Sequence, residues 1–105
     1  MHKVKLIVRR VNGSSMAGGY VCDLDLPFVP TVGMQFEKGG STTLWETATG
    51  ELKPAVEAVI YNIDEEEIVC LFTVGQELHC SFWTTLDYEA LGEGCAELDY
   101  FRNGH

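Results

Sequence analysis

Hydrophobic and polar positions alternate with a period of two along most of the chain as far as Trp83, the pattern of strands with one face buried. Val4, Leu6 and Val8 alternate with Lys5, Ile7 and Arg9, giving one apolar face and one mainly basic face. Asn12-Gly13 follows, a dipeptide that tolerates positive φ and so marks a turn. The small and polar run on to Gly18-Gly19 predicts a connection longer than a two-residue hairpin. Tyr20, Cys22, Leu24 and Leu26 then share a face opposite Val21, Asp23 and Asp25. Antiparallel pairing of these two runs sets Lys5 and Arg9 near Asp23 and Asp25, where exposed cross-strand pairs contribute about 0.2–1 kcal/mol each.

Pro27 and Pro30 interrupt the ladder, since proline donates no backbone hydrogen bond. Short strands are predicted with Met34 and Phe36 inward, and over Thr42 to Thr47 around Leu44 and Trp45. The clearest hairpin follows. Val56, Ala58 and Ile60 alternate with Glu57, Val59 and Tyr61; Asp64 to Glu67 form a polar turn; Ile68, Cys70, Phe72 and Val74 alternate with Val69, Leu71 and Thr73. The second of these runs is apolar on both faces, which suits an interior strand. Leu78, Cys80 and Phe82 extend the pattern to a three-strand meander. In the tail, Thr84 or Thr85 suits a helix cap, Asp87 and Glu89 suit its first turns, and Gly92 ends a stripe of Leu86, Ala90 and Leu91. Cys95 to Phe101 reads equally as a last strand or a second helical turn.

The predicted fold class is mainly β, between all-β and α+β, in a single domain over 1–105. Its form is a small, strongly bent antiparallel sheet or a partly open barrel, with one short C-terminal helix. The strand ending at Leu26-Pro27, the turn from Pro30 to Gly33 and the later hairpin are loosely similar to small SH3-like barrels. The resemblance covers about residues 20 to 83 and brings no functional residue with it.

Hydrophobic residues at 46% and charged residues at 22% are ordinary globular values, so wholesale disorder is not expected. The charge is unevenly placed. From Pro54 to Phe101 there are eleven acidic residues and no lysine or arginine, whereas four of the seven basic residues fall within the first ten positions. With a net charge of −9, the acidic half repels polyanions and attracts cations or basic surfaces, which argues against direct nucleic-acid binding through it. The start of the chain lacks the apolar core of a secretory signal, and no apolar run is long enough for a membrane helix, so the expected location is cytoplasmic. Cys22, Cys70, Cys80 and Cys95 are widely spaced, with no Cys-x-x-Cys pair, and read as reduced thiols.

Residues suited to catalysis are scarce. His2 and His105 are terminal, and His79 and Cys80 point to opposite faces of a strand, so they make no nucleophile–base pair. Zinc would require Cys22, Cys70, Cys80 and His79 to converge without a close ligand pair. Asp64 to Glu67 lack the spacing and glycine of a calcium loop. Asp23 and Asp25 read as the outer face of a strand rather than a glycosidase pair, and neither Gly18-Gly19 nor Gly39-Gly40 belongs to a phosphate loop. A non-enzymatic protein without metal or cofactor is therefore expected.

The reading that remains is a small acidic binding or accessory protein engaging a basic macromolecular partner. Such a partner is a nucleic-acid-binding protein or a toxin neutralised by charge mimicry, and compact acidic chains of this kind are common among accessory proteins of mobile elements. The residues expected to meet it are Glu65, Glu66, Glu67, Trp83 and Tyr88, since aromatic side chains join large contact area to a polar handle. The alternative is a small-molecule pocket in a barrel mouth near Tyr61, His79 and Trp83. The two apolar faces of Ile68 to Val74 further predict self-association as a dimer.

Overall fold

A computed structural model describes residues 1–12, 15–36, 44–79 and 83–86. The strands are β1 (His2–Asn12), β2 (Ser15–Leu26), β3 (Glu46–Thr47), β4 (Gly50–Glu51), β5 (Ala58–Asn62), β6 (Glu67–Val74) and β7 (Thr84–Leu86). Five of them make one sheet in the order β5-β6-β1-β2-β7, and β3 with β4 forms a separate two-stranded ribbon.

The β1–β2 hairpin holds Lys5 opposite Asp23 and Ile7 opposite Val21, whereas Arg9 lies opposite Gly19 rather than an aspartate. The long loop expected before Gly18-Gly19 is strand instead, with Ser15 already opposite Asn12. Backbone pairing requires no apolar side chain, so a run of small residues follows β1 readily. One irregularity absorbs the mismatch. Arg10 faces Gly18 and Val11 faces Met16, which leaves Ala17 as the extra residue of a bulge beside Gly18 at φ 149°.

β6 lies beside β1 in parallel, Leu6 opposite Cys70 and Val8 opposite Phe72, so the sheet is mixed rather than antiparallel. After β2 the chain crosses one face of the sheet before the β5–β6 hairpin returns it, and a connection that long permits a parallel neighbour. The sheet does not close into a barrel, since β5 and β7 stand at its two ends. β7 pairs with β2 through Val21 and Thr84, Tyr20 and Thr85, and Gly19 and Leu86, so the expected capping threonines are strand residues. Their β-branched side chains suit that role. The C-terminal helix expected beyond them lies outside the described residues. Of the expected meander, β5 and β6 pair antiparallel, while Leu78 and His79 are not strand, and the His79 amide donates to the Glu46 carbonyl at 2.8 Å. Cys80 to Phe82 lie outside the described residues. The short strand expected around Met34 and Phe36 is reduced to a single bridge between Gln35 and Ala55.

The main core lies between the sheet and that crossing connection. Val4, Leu6 and Val8 of β1, Tyr20 and Cys22 of β2, and Ile68, Cys70, Phe72 and Val74 of β6 meet Leu44, Trp45, Val56, Leu78 and Trp83. The aromatic rings are packed at tilted angles, with Trp45 5.0 Å from Phe72 and 5.2 Å from Trp83 by ring centre. Their polar atoms are all engaged. Trp45 Nε1 donates to the Phe36 carbonyl at 2.7 Å, Trp83 Nε1 to the Leu44 carbonyl at 2.9 Å, and Tyr20 Oη accepts from the Leu78 amide at 3.1 Å. The first two bonds tie irregular segments to one another, and the third ties one of them to β2. The opposite face, expected to be mainly basic and wet, carries a second apolar cluster instead. Ile7, Val69 and Leu71 are fully buried there, packed with Val21, Ala58 and Ile60. The surplus apolar face of β6 that suggested a dimer is thus already covered.

Candidate functional site at the acidic turn and the sheet edge

The β5–β6 turn is built by its own polar residues. Asn62 Oδ1 accepts the Glu65 amide at 3.1 Å, and Glu66 closes the turn at φ 54°, a left-handed conformation that side chains with a Cβ resist. Lys3 Nζ reaches the Glu65 backbone carbonyl at 3.3 Å, not its carboxylate. Asp64, Glu65 and Glu66 are exposed, and no ion pair among the described residues engages their carboxylates. Two large side chains stand exposed beside them, Tyr61 at 59% and Ile63 at 78%.

Glu67 does not belong to this surface. It is 5% exposed, begins β6, and its carboxylate lies 3.7 Å from Lys5 Nζ, which also faces Asp23 at 3.9 Å. The strand's two-residue period turns Glu67 inward on the face of Val69, where Lys5 reaches it from the parallel neighbour. Trp83 is likewise removed from the predicted contact set, being 7% exposed between Tyr20 and Trp45. Tyr88 lies outside the described residues. Glu65 and Glu66 therefore remain, joined by Asp64, Tyr61 and Ile63. The sequence signal for Ile63 was present: an isoleucine between Asn62 and the acidic run that starts at Asp64 falls in a polar turn.

The three residues expected around a pocket are placed in different surroundings. Tyr61 lines a shallow cleft of about 230 Å³ with Met1, His2, Lys3, Glu66 and Ile68, while Trp83 sits in the core and His79 is exposed beside Glu46. A second hollow of about 270 Å³ is bounded by Gln35, Phe36, Trp45, Glu51, Leu52 and Lys53. Its central donors are already used: Gln35 Nε2 bonds the Lys53 carbonyl at 3.0 Å and the Trp45 indole bonds Phe36. Among the described residues no group of three or more His, Cys, Asp or Glu side chains is placed to hold a metal ion. Cys22 and Cys70 are buried, and burial pushes the Cys70 thiol up to about 11, which disfavours the nucleophilic thiolate.

No helix among the described residues is long and apolar enough to cross a membrane. No protein-family model, curated protein or solved structure matches this chain.

Proposed function

We propose that this chain is a small, non-enzymatic binding protein whose acidic turn engages a basic macromolecular partner. The observation that supports this reading is the exposure of Asp64, Glu65 and Glu66 directly beside Tyr61 and Ile63. Carboxylates at the tip of a hairpin draw a cationic partner in from a distance, and the neighbouring aromatic and aliphatic side chains supply contact area that slows its departure. The proposal is tested with the variant Asp64→Lys, Glu65→Lys, Glu66→Lys. Glu67 is left in place because reversing a buried charge beside Lys5 disrupts the fold itself. With a partner captured from the source cell, association at about 0.05 M salt is expected to slow at least tenfold in the variant. An unchanged rate at low salt ends the proposal.

A further inference from the structure

The two edges of the sheet differ in the features that govern strand addition. β7 runs for three of the described residues, whereas β5 runs for five as Ala58-Val59-Ile60-Tyr61-Asn62. Natural sheet edges are usually blunted by lysine, proline or a bulge. β5 contains neither residue, its register with β6 is unbroken from Ala58 to Asn62, and no described strand pairs with its outer side. Its flanks are acidic at both ends, with Glu57 before it and Asp64 to Glu66 after it. Glu57 is exposed and accepts a hydrogen bond from Thr73 Oγ1 of β6 at 2.8 Å. The middle of the strand, by contrast, offers backbone and the exposed Tyr61 ring.

An edge that is apolar in its centre and acidic at its ends selects its occupant by charge. A second copy of this chain brings the same carboxylates against a strand of five residues, and each copy carries a net charge of −9. An extended segment bearing lysine or arginine at alternate positions meets the edge with opposite charge at both ends. We propose that the partner adds such a segment to the sheet as a new strand along the outer edge of β5. The inference rests on the basic-partner reading above and specifies the form in which the partner binds. Main-chain hydrogen bonds supply the affinity in this mode, and alternate side chains supply the selectivity.

The experiment uses the full chain and a fluorescent peptide of about eight residues alternating lysine and valine, a length that spans β5 and its flanks. A second peptide has the same side chains with alternate backbone amides N-methylated, so its charge is kept while its strand pairing is blocked. The expected result is that N-methylation weakens binding at least tenfold, because two or three backbone hydrogen bonds are lost. Amide hydrogen exchange is also expected to slow across Ala58–Asn62 when the unmethylated peptide is bound. Equal affinity of the two peptides, with weakening by the turn reversal retained, overturns strand addition and leaves the charge reading standing. Binding indifferent to the reversal of Asp64, Glu65 and Glu66 overturns the charge reading and, with it, the basic occupant. Exchange protection of β5 by the protein's own concentration, without peptide, makes a second copy the occupant and overturns the proposal.

Discussion

At the scale of single residues, Glu66 and Glu67 show how neighbours of one type take opposite parts. Glu66 occupies a left-handed conformation at φ 54°, which costs a residue with a Cβ about 1–2 kcal/mol. Glu66→Gly is therefore expected to raise the melting temperature by about 4–8 °C, following the shift per kcal/mol of a domain this size. Calorimetry showing an unchanged or lower melting point refutes this account of the turn. Glu67 is held inside by Lys5. Lys5→Met leaves its carboxylate buried without that ammonium and is expected to cost about 3 kcal/mol in urea unfolding. Adding Glu67→Leu should recover most of the loss, because the penalty belongs to the orphaned charge and not to the missing attraction. Equal destabilisation by the single and double variants would show that the pair contributes nothing through charge.

At the scale of elements, β6 explains why the core can hold a free thiol without reactivity. Its residues are buried on both faces, Cys70 and Phe72 in the main core on one side and Val69 and Leu71 in the Ile7 cluster on the other. Burial raises the Cys70 thiol from 9.0 to about 11, so the folded state keeps its proton where the unfolded chain loses it. Below pH 9 both states are protonated and the group has no effect on the balance. Between pH 9 and 11 unfolding releases a proton, so stability falls as the pH rises. Cys70→Val removes that dependence, and the stability difference between wild type and variant is expected to move against the wild type from pH 8 to about 10.5. Parallel curves over that window would show that the thiol titrates normally in the fold.

At the scale of the whole molecule, the excess negative charge works against compactness. The Cα radius of gyration is 13.3 Å, close to the screening length of about 10 Å at 0.1 M salt and well inside the 30 Å reached at 0.01 M. The carboxylates therefore repel one another across the molecule at low salt. Raising the salt from about 0.01 to 0.2 M is expected to raise the melting temperature by a few degrees, since unfolding separates like charges. A melting point that falls instead would mean that local attractions, such as Lys5 with Asp23 and Glu67, outweigh the repulsion.

Alternation every two residues is a local property, and it was enough to mark β1, β2, β5 and β6, the hairpin turn at Asp64 and the apolar character of β6 on both faces. It also placed Lys5 beside Asp23, because antiparallel register follows from two adjacent patterned runs. Which strand lies next to which, and in which direction, is decided by long-range packing. The crossing connection buries Trp45 and Val56 against Phe72 and so delivers β6 parallel to β1, a choice that no local pattern encodes. The same packing drew Trp83 into the core, where its indole found the Leu44 carbonyl, and turned Glu67 inward to Lys5. The candidate site was half legible for the same reason. Charge at a turn is written in the composition of Asp64, Glu65 and Glu66, whereas the open edge of β5 exists only once the other strands have taken their places.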